Sequence, residues 1–214
     1  MFDIKIGLCF KKGGSDQLKF VAVSQRVDYF KGRNEVRDSI DMNLSNFLLT
    51  NGLCPIVISN NLICHNALEK VLCSFNIGGI VLSGGNSIGE FKERDDTELF
   101  LLNFAEKRQL PLLGICRGMQ IMAIREGVNL KSIVGHVKSK HQITGEINGV
   151  VNSFHNFSIE ECPDNYNVSA LSEDGCIEAI KHKTLSWEGW MWHPERESPF
   201  NKSDNDRLKK IFCD

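Results

Sequence analysis

The sequence predicts an α/β fold, a doubly wound and mostly parallel sheet with helices on both faces and short antiparallel strands added in the C-terminal third. Three observations predict it. Apolar, strand-like runs alternate with amphipathic helical stretches through the first 127 residues, the pattern left by parallel strands joined through helical crossovers. From about residue 130 the helical periodicity stops and shorter alternating runs replace it. Between an apolar run and a helical one lies Gly114-Ile-Cys-Arg-Gly118, a pattern that marks a nucleophile at a sharp strand-to-helix turn.

The elements follow in order. Ile4–Phe10 reads as a first buried strand, closed by Lys11-Lys-Gly-Gly-Ser15. Residues 24–37, polar and aromatic, read as a long loop leaving the first strands. Residues 38–51 carry Ile40, Leu44, Phe47 and Leu48 at helical spacing, with Gly52 just past the end as a C-terminal cap. Cys54–Ile58 and Gly78–Ser83 read as strands, and Ala67–Phe75 and Thr97–Arg108 as helices. Leu110–Ile115 is a strand and Met119–Arg125 a helix ending at Gly127. Ile133–Val137, Gly149–Ser158, Asn167–Leu171, Cys176–His182 and Leu185–Trp192 read as the later strands. Asp204–Phe212 is a last helix, its acid first and Lys209-Lys210 last, the favourable sense for the helix dipole. No linker divides the chain, so one domain over 1–214 is expected.

Composition excludes several classes. Twenty-five Lys and Arg against 27 Asp and Glu leave a net charge of −2, so there is no bulk basic footprint for nucleic acid or an anionic membrane. Apolar runs such as Leu110–Leu113 fall far short of the ~18 residues of a membrane span. The start, with Asp3 and Lys5, does not read as a signal peptide, and a cytoplasmic location is expected. Eight cysteines stand at 9, 54, 64, 73, 116, 162, 176 and 213 with no C-x-x-C pair, which argues against a zinc ribbon or thioredoxin-type site. Cys9, Cys54 and Cys73 lie in apolar runs and are expected as small buried hydrophobes.

Cys116 is the exception. Glycines around a nucleophile at such a turn avoid clashes in a strained backbone, and the helix behind it lowers a thiol pKa and offers N–H groups to an oxyanion. A thiol nucleophile needs a base, and the base needs an orienting group. Met191-Trp-His-Pro-Glu195 supplies both, with His193 and Glu195 on one side of an extended segment and Pro194 restricting the backbone between them.

Leu112-Leu-Gly-Ile-Cys-Arg-Gly-Met-Gln120 and Trp190-Met-Trp-His-Pro-Glu195 together resemble the two signatures of class I glutamine amidotransferases. Arg117 after the cysteine is closer to the gamma-glutamyl hydrolase branch. Val81-Leu-Ser-Gly-Gly85 looks like the family's oxyanion strand, and Val151-Asn-Ser-Phe-His155 like a segment of the gamma-glutamyl-aminobutyrate hydrolases. The resemblance implies a flavodoxin-like doubly wound fold and no cofactor. It implies Cys116 as nucleophile, His193 as base and acid, and Glu195 as the group orienting His193. It further implies an oxyanion hole from the N–H groups of Gly85 and Arg117, and a glutamyl pocket helped by Gln120, Asn152 and Ser153. His155 is expected to line the same pocket.

Arg26, Tyr29 and Arg33 are the expected leaving-group contacts, because a basic loop suits phosphate. The chain resembles bacterial gamma-glutamyl-CDP-amidate hydrolases of capsule biosynthesis, so the leaving group implied is a nucleotide diphosphoramidate. The alternative is a glutaminase subunit feeding ammonia to a separate synthetase; a non-enzymatic binding protein fits the intact Cys–His–Glu set poorly. The partner expected is a small gamma-glutamyl amide, with no nucleic acid, membrane or obligate protein partner. His136, His141 and His155 have ligand-like spacing but no acid or cysteine grouped with them in sequence, so no metal site is assigned. Trp187, Trp190 and Trp192 are expected to pack around the base.

Overall fold

The computed structural model describes residues 19–213, and the expected strand at 4–10, with Cys9, lies outside them. Along the chain come β1 (Lys19–Ser24), β2 (Arg26–Phe30), β3 (Glu35–Ser39), α1 (Met42–Thr50), β4 (Leu53–Ile58), α2 (Asn61–Cys64) and α3 (Leu68–Ser74). Then follow β5 (Ile80–Leu82), α4 (Lys92–Arg108), β6 (Leu112–Ile115) and α5 (Arg117–Arg125). The later part holds β7 (Leu130–Ser132), β8 (Val137–Gly145), β9 (Gly149–Phe154), β10 (Phe157–Ile159), β11 (Tyr166–Ser172), β12 (Ile177–His182), β13 (Trp187–Trp190) and the closing helix α6 (Lys202–Cys213).

Nine strands form one mixed sheet in the order β4-β1-β5-β6-β13-β12-β11-β8-β9. The half from β4 to β13 is parallel, and the half from β13 to β9 is antiparallel. Two small ribbons, β2 with β3 and β7 with β10, lie outside it. The parallel strands read as continuous apolar runs because both their faces are covered. Alternate residues feed two separate cores. Ala22, Ile80, Leu82 and Leu112 pack with Leu72, Leu101 and Met122 on the α3–α5 side. Val21, Val23, Val81, Leu113 and Ile115 pack with Phe47, Leu48, Leu208 and Phe212 on the α1–α6 side. Each such side chain larger than Ala22 contributes roughly 1.5–3 kcal/mol of burial, and together they fix which strand ends meet at the site.

The structure corrects the sequence reading in several places. The polar, aromatic stretch 24–37 is the end of β1 and most of a hairpin, with Asn34 in the left-handed region at φ 48° closing the turn. The first helix starts only at Met42, where the Asp41 side chain accepts a hydrogen bond from the Asn43 N–H at 2.9 Å. The helix expected from Thr97 begins at Lys92; its charged first turns hide a buried face, described below. A single strand at 133–137 is replaced by β7 and β8 on either side of a bend with Gly135 at φ 92°. Cys73 is exposed and Cys54 half-buried, so only Cys116 and Cys176 are buried among the described cysteines. Trp187, Trp190 and Trp192 are buried, the last two stacked with centroids 5.3 Å apart. No helix among the described residues is long and apolar enough to cross a membrane.

Candidate active site

Strand β6 ends at Ile115, and Cys116 stands at the head of α5 with φ 51° and ψ −103°, a conformation that costs about 1–3 kcal/mol for a non-glycine residue. Its backbone N–H is fixed by the Trp190 carbonyl at 2.6 Å. The glycines on either side are required by close approach. A Cβ at Gly118 would sit 2.3 Å from the Leu82 carbonyl oxygen, and one at Gly114 would meet Met122 Sδ at 2.5 Å. The thiol therefore rises from a turn held between Leu82 of the neighbouring strand and Met122 of the helix. The Arg117 N–H is the first of α5 and has no partner within the helix.

His193 and Glu195 follow β13, the neighbour of β6 in the sheet, so the base reaches the elbow from the adjacent strand end. His193 Nδ1 lies 2.7 Å from Glu195 Oε1, with both side chains buried. Cys116, Arg117, His193 and Gly85 line a cavity of about 350 Å³ with Gln120, Phe154, His155, Phe157 and Arg196. Burial alone would lower the His193 pKa. Hydrogen bonds with Cys116 and Glu195, and the charges of both, outweigh that and raise it to about 9. Protonated His193 is thus favoured between Cys116 and Glu195, so the ring is fit to take up the proton that Cys116 gives away.

The fourth wall is the loop after β5. Gly85 has φ 86°, and the carbonyls of Ser83, Gly84 and Gly85 all accept from the buried guanidinium of Arg94, the first two at 2.9 and 3.0 Å. With its carbonyls drawn to Arg94, this loop is held rigidly against the elbow, and His193 Cε1 packs so closely on Gly84 that a Cβ there would lie 2.6 Å away. Arg94 also donates to Asn86 Oδ1 at 2.9 Å and to Glu98 Oε1 at 3.1 Å. The Arg117 side chain turns away from the cavity and ion-pairs with Glu98 and Asp95. Ser24 Oγ completes the set by donating to Glu98 Oε1 at 2.8 Å. Burial works most against each guanidinium, with the charge of Arg26 opposing Arg94 and that of Arg94 opposing Arg117, while Asp95 and Glu90 favour both charged forms.

Several sequence-predicted residues meet here and others do not. Cys116, Arg117, Gln120, Gly85, His155 and His193 share the cavity, with Glu195 directly behind His193. Asn152 is not among its lining residues. Its amide donates to the His193 carbonyl and Glu197 Oε1, both at 2.8 Å, and accepts from the His193 N–H at 3.0 Å, which leaves it positioning the base. Ser153 is spent on the His136 carbonyl at 2.7 Å. Arg26 lies over Gly85 and lines an adjoining small recess with Arg196, pairing with Asp28 at 2.7 Å. Tyr29 and Arg33 sit further along the hairpin, exposed and outside both recesses. Sequence reasoning missed Arg94, Glu98 and Arg196. The signal was present for the first two, an Arg and Glu four apart in a charged stretch, but only the fold shows that face to be buried. Arg196 stacks over Phe154 at 4.3 Å at the cavity wall.

A doubly wound sheet with a cysteine at such an elbow, facing a His–Glu pair from the neighbouring strand, defines the class I glutamine amidotransferases. The chain matches the family Glutamine amidotransferase class-I over residues 34–211 and belongs to it. It is 34% identical over 191 residues to the gamma-glutamyl-CDP-amidate hydrolase of Campylobacter jejuni, covering 85% of this chain and 92% of that one. It is 33% identical over 159 residues to one subunit of the glutamine-hydrolysing GMP synthase of Methanococcus maripaludis, covering 68% and 77%. The crystal structure of a glutamine amidotransferase from Thermotoga maritima shares the fold, with a TM-score of 0.61 at 16% identity over 92% of this chain and 87% of that one.

Two outcomes are expected from this geometry. Gly118→Ala should cost roughly 1–3 kcal/mol or more, because the new methyl meets backbone that cannot yield. Gly32→Ala, with nothing within 4 Å, should shift stability by less than about 1 kcal/mol; denaturant midpoints compare the two. Secondly, the His193 ring should titrate near pH 9 by NMR, and its pKa should fall in Cys116→Ser, which removes the sulfur whose hydrogen bond favours the charged ring. Because the folded pKa lies above the unfolded value near 6.5, His193 protonation contributes stability that is full below about pH 6.5 and is lost as pH rises through about 9.

Proposed function

We propose that the chain hydrolyses a gamma-glutamyl amide through a thioester on Cys116. The observation that carries this reading is the strained thiol at the head of α5 facing the His193–Glu195 pair in one cavity. The Cys116 sulfur, its proton passed to His193, attacks the delta-carbonyl and forms a tetrahedral oxyanion. The N–H groups of Gly85 and Arg117 receive that oxyanion. The C–N bond then breaks as His193 gives its proton to the departing nitrogen, leaving a glutamyl thioester. His193, now neutral, takes a proton from water, whose oxygen attacks the thioester carbonyl; glutamate leaves and the thiol is regenerated. Glu195 keeps the imidazole in the required orientation throughout. The reading treats residues 1–214 as one domain, supported by a continuous sheet to which both halves contribute.

For the leaving group, the proposal is an anionic, phosphorylated amide such as a nucleotide diphosphoramidate, as the name of the Campylobacter relative suggests. Arg26 and Arg196 border the recess beside Gly85 and His193. Arginine forks suit phosphate oxygens. Similarity to a GMP synthase subunit favours a second reading, a glutaminase that works beside a synthetase.

Cys116→Ser should abolish turnover without unfolding the protein, since triad members typically contribute orders of magnitude in rate. In the wild type, intact-mass analysis of quenched reactions should find a glutamyl adduct at Cys116; an adduct at another cysteine contradicts the mechanism. The isolated chain should release glutamate from a phosphorylated gamma-glutamyl amide at on the order of 1 s⁻¹ or more. Glutamine should be much the poorer substrate by kcat/KM, because it offers nothing for the two arginines to hold in the transition state. Arg26→Ala or Arg196→Ala should narrow that gap. Inertness on every gamma-glutamyl amide until a synthetase is added would select the subunit reading.

A further inference from the structure

Away from the elbow, on the antiparallel half of the sheet, three histidines converge on one carboxylate. His136 precedes β8, His141 lies in β8, His155 follows β9, and Glu178 comes from β12. Glu178 is fully buried, and His136 and His155 nearly so. His136 Nδ1 lies 3.4 Å from Glu178 Oε1, His141 Nε2 3.4 Å from Oε2, and His155 Nε2 3.6 Å from Oε1. All three nitrogens and both carboxylate oxygens are buried without a hydrogen-bond partner. Each such orphan costs about 1–3 kcal/mol in a protein interior. Five of them facing one point is a different situation from scattered imperfections.

The outer contacts explain what those inner atoms are. His155 Nδ1 is 3.0 Å from the Phe157 carbonyl, which can only accept, so Nδ1 carries the proton and Nε2 presents a lone pair inward. His136 Nε2 is 2.8 Å from Asp174 Oδ2, again an acceptor, so its inward Nδ1 also presents a lone pair when the ring is neutral. Asp174 is itself held by Ser172 Oγ at 2.6 Å. Imidazole held by an outer carboxylate or carbonyl, with its second nitrogen free, is the arrangement that orients metal-binding histidines. Lone pairs aimed at a carboxylate repel unless a cation lies between them. Protons in that place would draw nitrogen and oxygen to about 2.7–2.9 Å. The spacing of 3.4 Å from His136 and His141 to the carboxylate instead matches the separation of neighbouring ligands about 2.0–2.2 Å from one tetrahedral ion. The candidate ligand atoms of His136, His141 and Glu178 all lie within 4.8 Å of one another, and His155 falls outside that group.

We propose that His136, His141 and Glu178 hold a divalent transition ion of the zinc class. Two imidazoles and one carboxylate match the ligand preference of such ions rather than that of calcium or magnesium, which take oxygen ligands. Three protein ligands leave a fourth position, and His155 Nε2 lies beside the group, 3.6 Å from Glu178 Oε1. The ion ties β8 to β12 next to His155, which also forms part of the wall of the catalytic cavity.

The test uses the full chain, stripped with a chelator and titrated with Zn²⁺ and Co²⁺. One equivalent of Zn²⁺ should bind and raise the melting temperature, and Co²⁺ should give the intense visible absorption of a tetrahedral centre. Glu178→Gln and His141→Ala should each weaken binding at least about tenfold, and Asp174→Asn, at the surface, about 10–100-fold. Cys116→Ser should bind as the wild type does. Folding of each variant is checked by circular dichroism; if Glu178→Gln fails to fold, the Co²⁺ spectrum of the wild type and the Asp174→Asn affinity still decide. A folded, stripped wild type that takes up neither ion would overturn the proposal and leave the cluster held by protons. So would uptake that survives in Glu178→Gln and disappears in Cys116→Ser.

Discussion

The site depends on one buried ionic network, Arg94 and Arg117 bridged by Glu98 and flanked by Asp95. Arg94 collects the carbonyls of the loop after β5, and Arg117 anchors the residue beside the nucleophile. Both guanidiniums meet on Glu98, so the two walls that would face an oxyanion are tied to the same helical turn. The network is balanced, two cations against two anions, which is the condition under which charges this buried persist. Removing one partner of a buried pair costs about 3–5 kcal/mol, because the remaining charge is stranded. An apolar replacement could match that stability, yet it could not hold three successive carbonyls in one direction. The network's contribution is therefore geometric as much as energetic.

The parallel half of the sheet determines where this geometry sits. Strands β5, β6 and β13 are adjacent and run the same way, so the loop with Gly85, the elbow with Cys116 and the segment with His193 all emerge at one edge. Open α/β sheets bind ligands at the carboxyl ends of their strands for this reason. The antiparallel half adds a second layer of control. Asn152, within β9, grips both backbone groups of His193, and Gln120 donates to the Phe157 carbonyl at 3.0 Å, the same oxygen that meets His155. The cluster around Glu178 and the catalytic cavity thus share a wall built from β9 and its following turn.

Much of this was legible in the chain itself. The alternation of apolar runs and helical stretches, with Gly114 and Gly118 around Cys116 and His193 two residues from Glu195, determined β4, β5 and β6, the elbow and the pairing of thiol with base, whereas β1 at Lys19–Ser24, the strand between β4 and β5, was not read from the sequence. Those are local signals: period, turn chemistry and spacing within one segment. The tertiary structure alone decided the rest. Burial made Arg94 and Glu98 a clamp although their helix looks merely charged. Pairing turned residues 26–39 into a hairpin that brings Arg26 to the site and carries Tyr29 and Arg33 away from it. Asn152 and Ser153 were directed to backbone partners by the register of β8 against β9. His136, His141 and His155 had no acid beside them in sequence, and the sheet supplied Glu178 from another strand. Charge pairing, hydrogen-bond exhaustion and ligand convergence join residues distant along the chain, and no period or motif in one segment can encode which distant groups the packing will bring into contact.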